Sequence, residues 1–123
     1  MSESSAIVLI AHGSRHEEAN RDTRLLAEQL AQREPWDIAV AAFLEIAEPS
    51  IDAAALHCVE RGAKRIILLP HFLSAGVHVQ RDLSEAKRRL SERYRGVEFR
   101  LAEPIGPHTL LIEILSERAR TID

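Results

Sequence analysis

Short apolar runs alternate with amphipathic stretches along the chain. Residues 6–11 read Ala-Ile-Val-Leu-Ile-Ala, a continuous apolar run that is typical of a strand buried on both faces. Apolar runs at 37–44 and 65–69 predict a second and a third strand, and a weaker alternation at 97–101 predicts a fourth strand at an edge. The pattern therefore predicts four strands.

Each predicted strand is followed by a stretch whose apolar residues recur at helical spacing. Ser14 and Glu17 have the spacing of a capping box, so we expect the first helix to start there, and Pro35 ends it. Pro49 suits the first turn of the second helix and Gly62 its C-terminal stop. The four predicted helices cover about residues 14–34, 49–62, 79–94 and 110–118.

Strands that alternate with helices over short connections indicate an α/β fold with a parallel sheet and helices on both faces. We predict one such domain over residues 1–123, with four strands in the order 2-1-3-4. Ligands of open parallel sheets bind beyond the carboxyl ends of the strands, near the switch point. We prefer this order to 1-2-3-4 because it brings together His12, after strand one, and His71 and His78, after strand three.

Composition and charge indicate which partners and which cellular compartment to expect. A net charge of −3 without a long basic run speaks against a nucleic-acid partner. The apolar runs are too short to span a bilayer, and the polar residues 1–5 do not resemble a signal peptide. The single cysteine, Cys58, cannot form an intramolecular disulfide and falls on a buried helix stripe, so we interpret it as a core residue. We therefore expect a cytoplasmic protein with no membrane partner.

His12 and His78 are the leading candidates for chemistry. Imidazole binds divalent transition metals and also titrates near neutral pH, so the two together suit metal binding or proton transfer. Each histidine alone is more simply a polar loop residue. His71 is either a third ligand or a residue on the rim without a role. Glu45, which follows strand two, either completes a metal site or accepts protons, or is an ordinary exposed residue beside a helix start.

Weaker candidates flank the histidines. Gly13-Ser14 before a helix offers free backbone N–H groups that favour an anion. Arg15 and Arg81 lie next to the two histidine loops, and guanidinium groups suit the carboxylates of a ligand, although surface charge is the commoner reason for such residues. The chain has no G-x-S-x-G, C-x-x-C or H-E-x-x-H motif, which argues against a serine hydrolase, a thiol redox enzyme and a zincin.

Three motifs in order resemble those of the small sirohydrochlorin chelatases of the CbiX/SirB type, and the similarity covers nearly the whole chain. They are I-A-H-G-S-R at residues 10–15, F-L-E-x-A-x-P-S-I at 43–51, and L-P-x-F-L-x-x-G-x-H-V-x-x-D-L at 69–83. The resemblance implies a lyase that inserts cobalt, iron or nickel into sirohydrochlorin without ATP, in cobalamin or sirohaem biosynthesis. The divalent ion (Co²⁺, Fe²⁺ or Ni²⁺) is then a substrate, and no other cofactor is implied.

The resemblance also assigns residues and a partner. His12 and His78 match the metal-handling histidines of the family, and Glu45 matches the glutamate of the F-L-E motif, so these three are the predicted catalytic residues. The tetrapyrrole substrate carries many carboxylates, which favours Arg15 and Arg81, with Ser14 beside them, as substrate contacts. Short members of the family pair as homodimers, and we expect the same here.

Two other functions remain open at this point. A non-catalytic carrier of a metal or tetrapyrrole on the same fold needs the histidines but no proton acceptor, and turnover would distinguish it from a chelatase. A small α/β interaction module would bind neither ligand. Fold alone does not decide among the three.

Overall fold

The computed structural model describes residues 4–122, in which four strands and four helices alternate. The predicted order of elements is confirmed, with small shifts in their bounds. Residues 1–3, part of the N-terminal segment considered above as a signal peptide, lie outside the described residues. The elements are β1 Ser5–Ala11, α1 Glu17–Ala31, β2 Ile38–Phe43, α2 Ile51–Glu60, β3 Arg65–Pro70, α3 Val77–Arg93, β4 Glu98–Leu101 and α4 Thr109–Arg120.

The four strands form one parallel sheet in the order β2-β1-β3-β4, which confirms the predicted order. β1 has a neighbouring strand on each side, with Ile10 opposite Ala42 of β2 and Pro70 of β3. Its apolar run is accordingly buried from Ala6 to Ile10, as the continuous hydrophobic pattern predicts.

Helices cover the two faces of the sheet unequally. On one face, α2 packs on β1 and β2 and α3 packs on β4, with Ala54, Cys58, Leu83 and Leu90 in the shared core. On the other face, α1 packs on β1 and β2 through Ala27. Every residue of α4 stays at least partly exposed. Within residues 4–122, no helix combines the length and the apolar character needed to cross a membrane.

The start of α1 differs from the prediction. The helix begins at Glu17 with His16 as its N-cap, so the capping box of Ser14 and Glu17 was wrong. The Ser14 hydroxyl accepts instead from the His16 N–H at 3.0 Å. The buried Asn20 side chain accepts from the Ser14 N–H at 2.9 Å and donates to its carbonyl at 2.8 Å. Asn20 therefore holds the turn, because its amide satisfies both backbone groups of Ser14.

Candidate active site

The strand register places His12 beside Phe72. Ile10 lies opposite Pro70, and side chains two residues apart along a strand point to the same face, so the two residues beyond this pair meet. Their ring centroids are 4.7 Å apart, with the planes inclined at 65°. Phe72 is buried and His12 is exposed, so the imidazole has an aromatic neighbour on the protein side and is open to solvent on the other.

Glu45 lies next to His12 because the pairing of β1 with β2 continues past both strands. The Leu44 N–H donates to the Ala11 carbonyl at 2.9 Å, and the Glu45 N–H donates to the His12 carbonyl at 3.0 Å. Gly13 makes this approach possible. It has a φ of +95°, and a Cβ there would lie 1.9 Å from the Glu45 carbonyl oxygen. The His12–Glu45 corner therefore requires glycine at position 13.

A tight turn follows Glu45. The Ala47 N–H donates to the Glu45 carbonyl at 2.7 Å, and the residue between them, Ile46, has a φ of +71°. This is a γ-turn, a rare conformation that is strained for a β-branched residue and costs about 1–3 kcal/mol. The Ile46 side chain is 60% exposed. The turn thus fixes the backbone of Glu45 and presents an apolar side chain to solvent.

His12 and Glu45 share an open cavity of about 440 Å³ at the carboxyl edge of the sheet. His78 falls in the first turn of α3, four residues before Asp82 and so on the same side of the helix, but it is not among the residues that line this cavity. The structure thus brings His12 and Glu45 together and places His78 on the helix that forms another wall. The cavity is lined by His12, Leu44, Glu45, Ile51, Val79, Asp82, Glu85, Ala86 and Arg89.

Sequence reasoning missed the acidic residues of α3. Asp82 and Glu85 lie four and seven residues after His78, and this spacing puts all three residues on one face of the helix. The spacing can be read from the sequence alone. A hydrogen bond from Arg88 at 2.7 Å lowers the pKa of Glu85. Arg89 donates to both carboxylate oxygens of Asp52, at 2.6 and 3.3 Å, and so connects α3 to α2 beside the cavity.

His71 lies on the opposite face of the sheet from His12. It immediately follows Pro70, one residue before Phe72, so its side chain points away from the His12 cavity. It lines a second cavity of about 550 Å³ between α1 and α4, together with His108 and Glu103. The remaining walls are mostly apolar, and burial lowers the pKa of His71. The structure therefore does not bring His71 together with His12.

The other predicted residues are spread around the His12 loop and α3. Ser14 is half-buried and already bonded to Asn20 and His16, as described above. Arg15 and Arg81 are exposed, and among residues 4–122 neither forms an ion pair. In the same part of the chain, no group of three or more His, Cys, Asp or Glu side chains is arranged to hold a metal ion.

Cys58 is confirmed as a core residue. It is fully buried on α2, and its burial raises the pKa of the thiol to about 11. The thiolate form that reacts as a nucleophile is therefore scarce near neutral pH.

The fold and the site together define a class of protein: a small α/β domain with a 2-1-3-4 parallel sheet and a histidine–carboxylate site at the carboxyl edge of its central strand. Comparison with known proteins identifies the family within that class. The chain belongs to the CbiX family, whose family model matches residues 6–122.

Relatives of two lengths match the chain. A sirohydrochlorin cobaltochelatase from Sulfolobus acidocaldarius is 35% identical, over 92% of this chain and 88% of its own. A chloroplastic sirohydrochlorin ferrochelatase from Arabidopsis thaliana is 31% identical, over 94% of this chain and 52% of its own. The crystal structure of the sirohydrochlorin chelatase SirB from Bacillus subtilis subspecies spizizenii, in complex with cobalt, superposes with a TM-score of 0.88 at 27% identity, over 97% of this chain and 51% of that one. The chain therefore spans about half the length of two of these relatives.

Proposed function

We propose that this protein inserts a divalent metal ion into sirohydrochlorin without ATP, as a step of cobalamin or sirohaem biosynthesis. The observation that carries the proposal is the shared cavity of His12 and Glu45 beside the helix that bears His78. Relatives named sirohydrochlorin cobaltochelatase and ferrochelatase support cobalt and iron as the metal substrates, and nickel is the third candidate. No further cofactor enters the proposal.

The proposed chemistry follows from the residue types. During metallation, two pyrrole N–H bonds break as nitrogen–metal bonds form, and two protons leave the macrocycle. His12 and His78 bind and present the ion through neutral ring nitrogens. Glu45, whose backbone N–H donates to the His12 carbonyl at 3.0 Å, accepts the two protons in turn on its carboxylate and passes them to solvent. Arg15 and Arg81, with Ser14, contact the carboxylates of the substrate.

We also propose that the working form is a homodimer. One chain provides a single open wall for a macrocycle, and its last helix carries apolar side chains that this chain does not cover. Four of them, listed here, are more than half exposed: Leu110, Ile112, Ile114 and Leu115. A second copy would cover this apolar surface and supply the half that the longer relatives carry in one chain.

Light scattering coupled to gel filtration tests the dimer. We expect a mass of two chains for the wild type and of one chain for Leu115→Asp on α4. In a dimer the new carboxylate would be buried in the interface without an opposite charge. Leu56→Asp on α2, also an exposed leucine, is the control and should leave the mass at two chains. A monomeric wild type would exclude the dimer.

We further propose that residues 1–123 form one chelatase domain that acts in the cytoplasm. The single cysteine supports a reducing compartment, since Cys58 is buried and unpaired. Fractionation of the host cell would test the location.

Turnover tests the function itself. Purified protein is mixed anaerobically with sirohydrochlorin and Co²⁺, Fe²⁺ or Ni²⁺ in turn, and the absorbance of the metallated product is followed against a blank without protein. We expect acceleration by the wild type, and a loss of about 100-fold or more in His12→Ala and His78→Ala. If the protein binds the macrocycle without accelerating metallation, the chelatase proposal fails and a carrier takes its place.

A further inference from the structure

Exposed apolar side chains lie in the loops on both sides of the His12 loop and at the start of α3. Ile46, in the loop after β2, is 60% exposed, Leu73, in the loop after β3, is 68% exposed, and Val77, the first residue of α3, is 71% exposed. β1 and its His12 loop lie between β2 and β3 in the sheet. Adjacent strands are about 4.8 Å apart, so the two flanking loops start roughly 10 Å from each other.

Ile46 is the most informative of the three because its backbone conformation is unfavourable for isoleucine. A φ of +71° suits glycine or asparagine and strains isoleucine. A side chain that is 60% exposed also adds little to the hydrophobic core. The stability of this chain therefore does not account for an isoleucine at position 46.

We propose that Ile46, with Leu73 and Val77, forms an apolar support for one face of the tetrapyrrole macrocycle, with His12 between the supporting side chains. The inference rests on the proposed function. A tetrapyrrole has flat apolar faces and a carboxylate rim, so a site that orients it needs apolar contacts around the metal-presenting histidine as well as arginines farther out. The γ-turn at Ile46 holds one of these contacts directly beside Glu45.

The test separates stability from affinity in variants of Ile46. Ile46→Gly and Ile46→Asn relieve the backbone strain and remove the apolar side chain. We expect a melting temperature equal to or above that of the wild type. We also expect metal-free sirohydrochlorin to bind about tenfold more weakly, as measured by absorbance titration without metal, because burial of an aliphatic side chain against the ring is lost.

Two further variants make the result specific. Ile46→Leu keeps the apolar area and should keep an affinity close to that of the wild type. Leu25→Asn removes an exposed apolar side chain on α1, away from the site, and should also bind normally.

The outcomes that overturn the inference differ from those that overturn the function. If the wild type binds and metallates sirohydrochlorin but Ile46→Asn binds it equally well, the apolar support is wrong and the chelatase proposal stands. If Ile46→Asn turns a dimer into a monomer, the side chain belongs to a contact between subunits and the inference is again wrong. If the wild type does not bind sirohydrochlorin at all, the proposed function fails.

Discussion

The His12 cavity and the His71 cavity lie on opposite faces of the sheet, at the carboxyl ends of its strands. One, on the α2 and α3 face, combines His12 with Glu45 and the acidic residues of α3. The other, between α1 and α4, contains His71 and His108 among mainly aliphatic side chains. His12 and His71 both follow strands, yet a one-residue difference in register sends their imidazoles to opposite faces. The register at the strand end, and not the loop alone, therefore decides which histidine joins the site.

The cavities also differ in how firmly their walls are built. The His12 cavity rests on a corner where backbone hydrogen bonds join the β1 and β2 loops and where only glycine fits. The His71 cavity is closed on one side by α4, every residue of which stays at least partly exposed. A rigid corner suits a site that must hold reacting groups in position, whereas a loosely covered apolar cavity suits an assembly surface.

The largest effect should come from Gly13→Ala. The new Cβ would meet the Glu45 carbonyl oxygen at 1.9 Å on a backbone with φ +95°, so we expect a loss of about 3 kcal/mol in the free energy of unfolding, measured by urea denaturation. Gly62→Ala is the matched control, since Gly62 has a φ of +91° and nothing within 4 Å of its Cβ position. It should lose only about 1 kcal/mol. Equal losses would show that the corner is less tight than described.

A second experiment compares the carboxylates of the two cavities. We expect Glu45→Gln to lower kcat for metallation about 100-fold, because an amide does not accept the pyrrole protons. Glu103→Gln, in the apolar cavity, should leave kcat at the wild-type value. The measurement is the initial rate at saturating metal and sirohydrochlorin. Comparable losses in both variants would contradict the assignment of the site to the His12 cavity.

The smallest effect concerns the pH dependence of stability. Burial lowers the pKa of His71, so the unfolded chain takes up this proton more readily than the folded chain does. The stability due to neutral His71 is complete above the unfolded value of about 6.5 and is lost as the pH falls through the lowered folded pKa. Thermal melts between pH 8 and about 5 should therefore show a shallower decline for His71→Asn than for the wild type. An unchanged slope would mean that His71 does not titrate in this way.

Much of the fold was predictable because one physical pattern specifies it. Continuous apolar runs such as residues 6–11 indicate strands buried on both faces, and alternation with helices indicates a parallel sheet. The pairing of His12 with Glu45 followed from the same logic, since the ends of neighbouring parallel strands meet at one edge. The resemblance to a family supplied the chemistry.

Other features depend on contacts that no local pattern contains. The start of α1 is held by Asn20, which lies six residues beyond Ser14, so the local capping pattern was misleading. The face on which His71 lies depends on the register between β1 and β3, which the apolar runs leave open by one residue. The positive φ of Ile46 contradicts the preference of its residue type, and such exceptions are frequent at functional sites.

The contact between His12 and Phe72 has a spectroscopic consequence. An aromatic ring centred 4.7 Å away changes the local magnetic field at the imidazole, so the carbon-bound ring protons of His12 should resonate apart from those of the other histidines. Proton NMR then gives a signal that belongs to this one side chain. If this signal shifts when a metal ion or a macrocycle is added alone, that ligand has reached the site. Binding of each ligand can thus be followed separately, before any product forms.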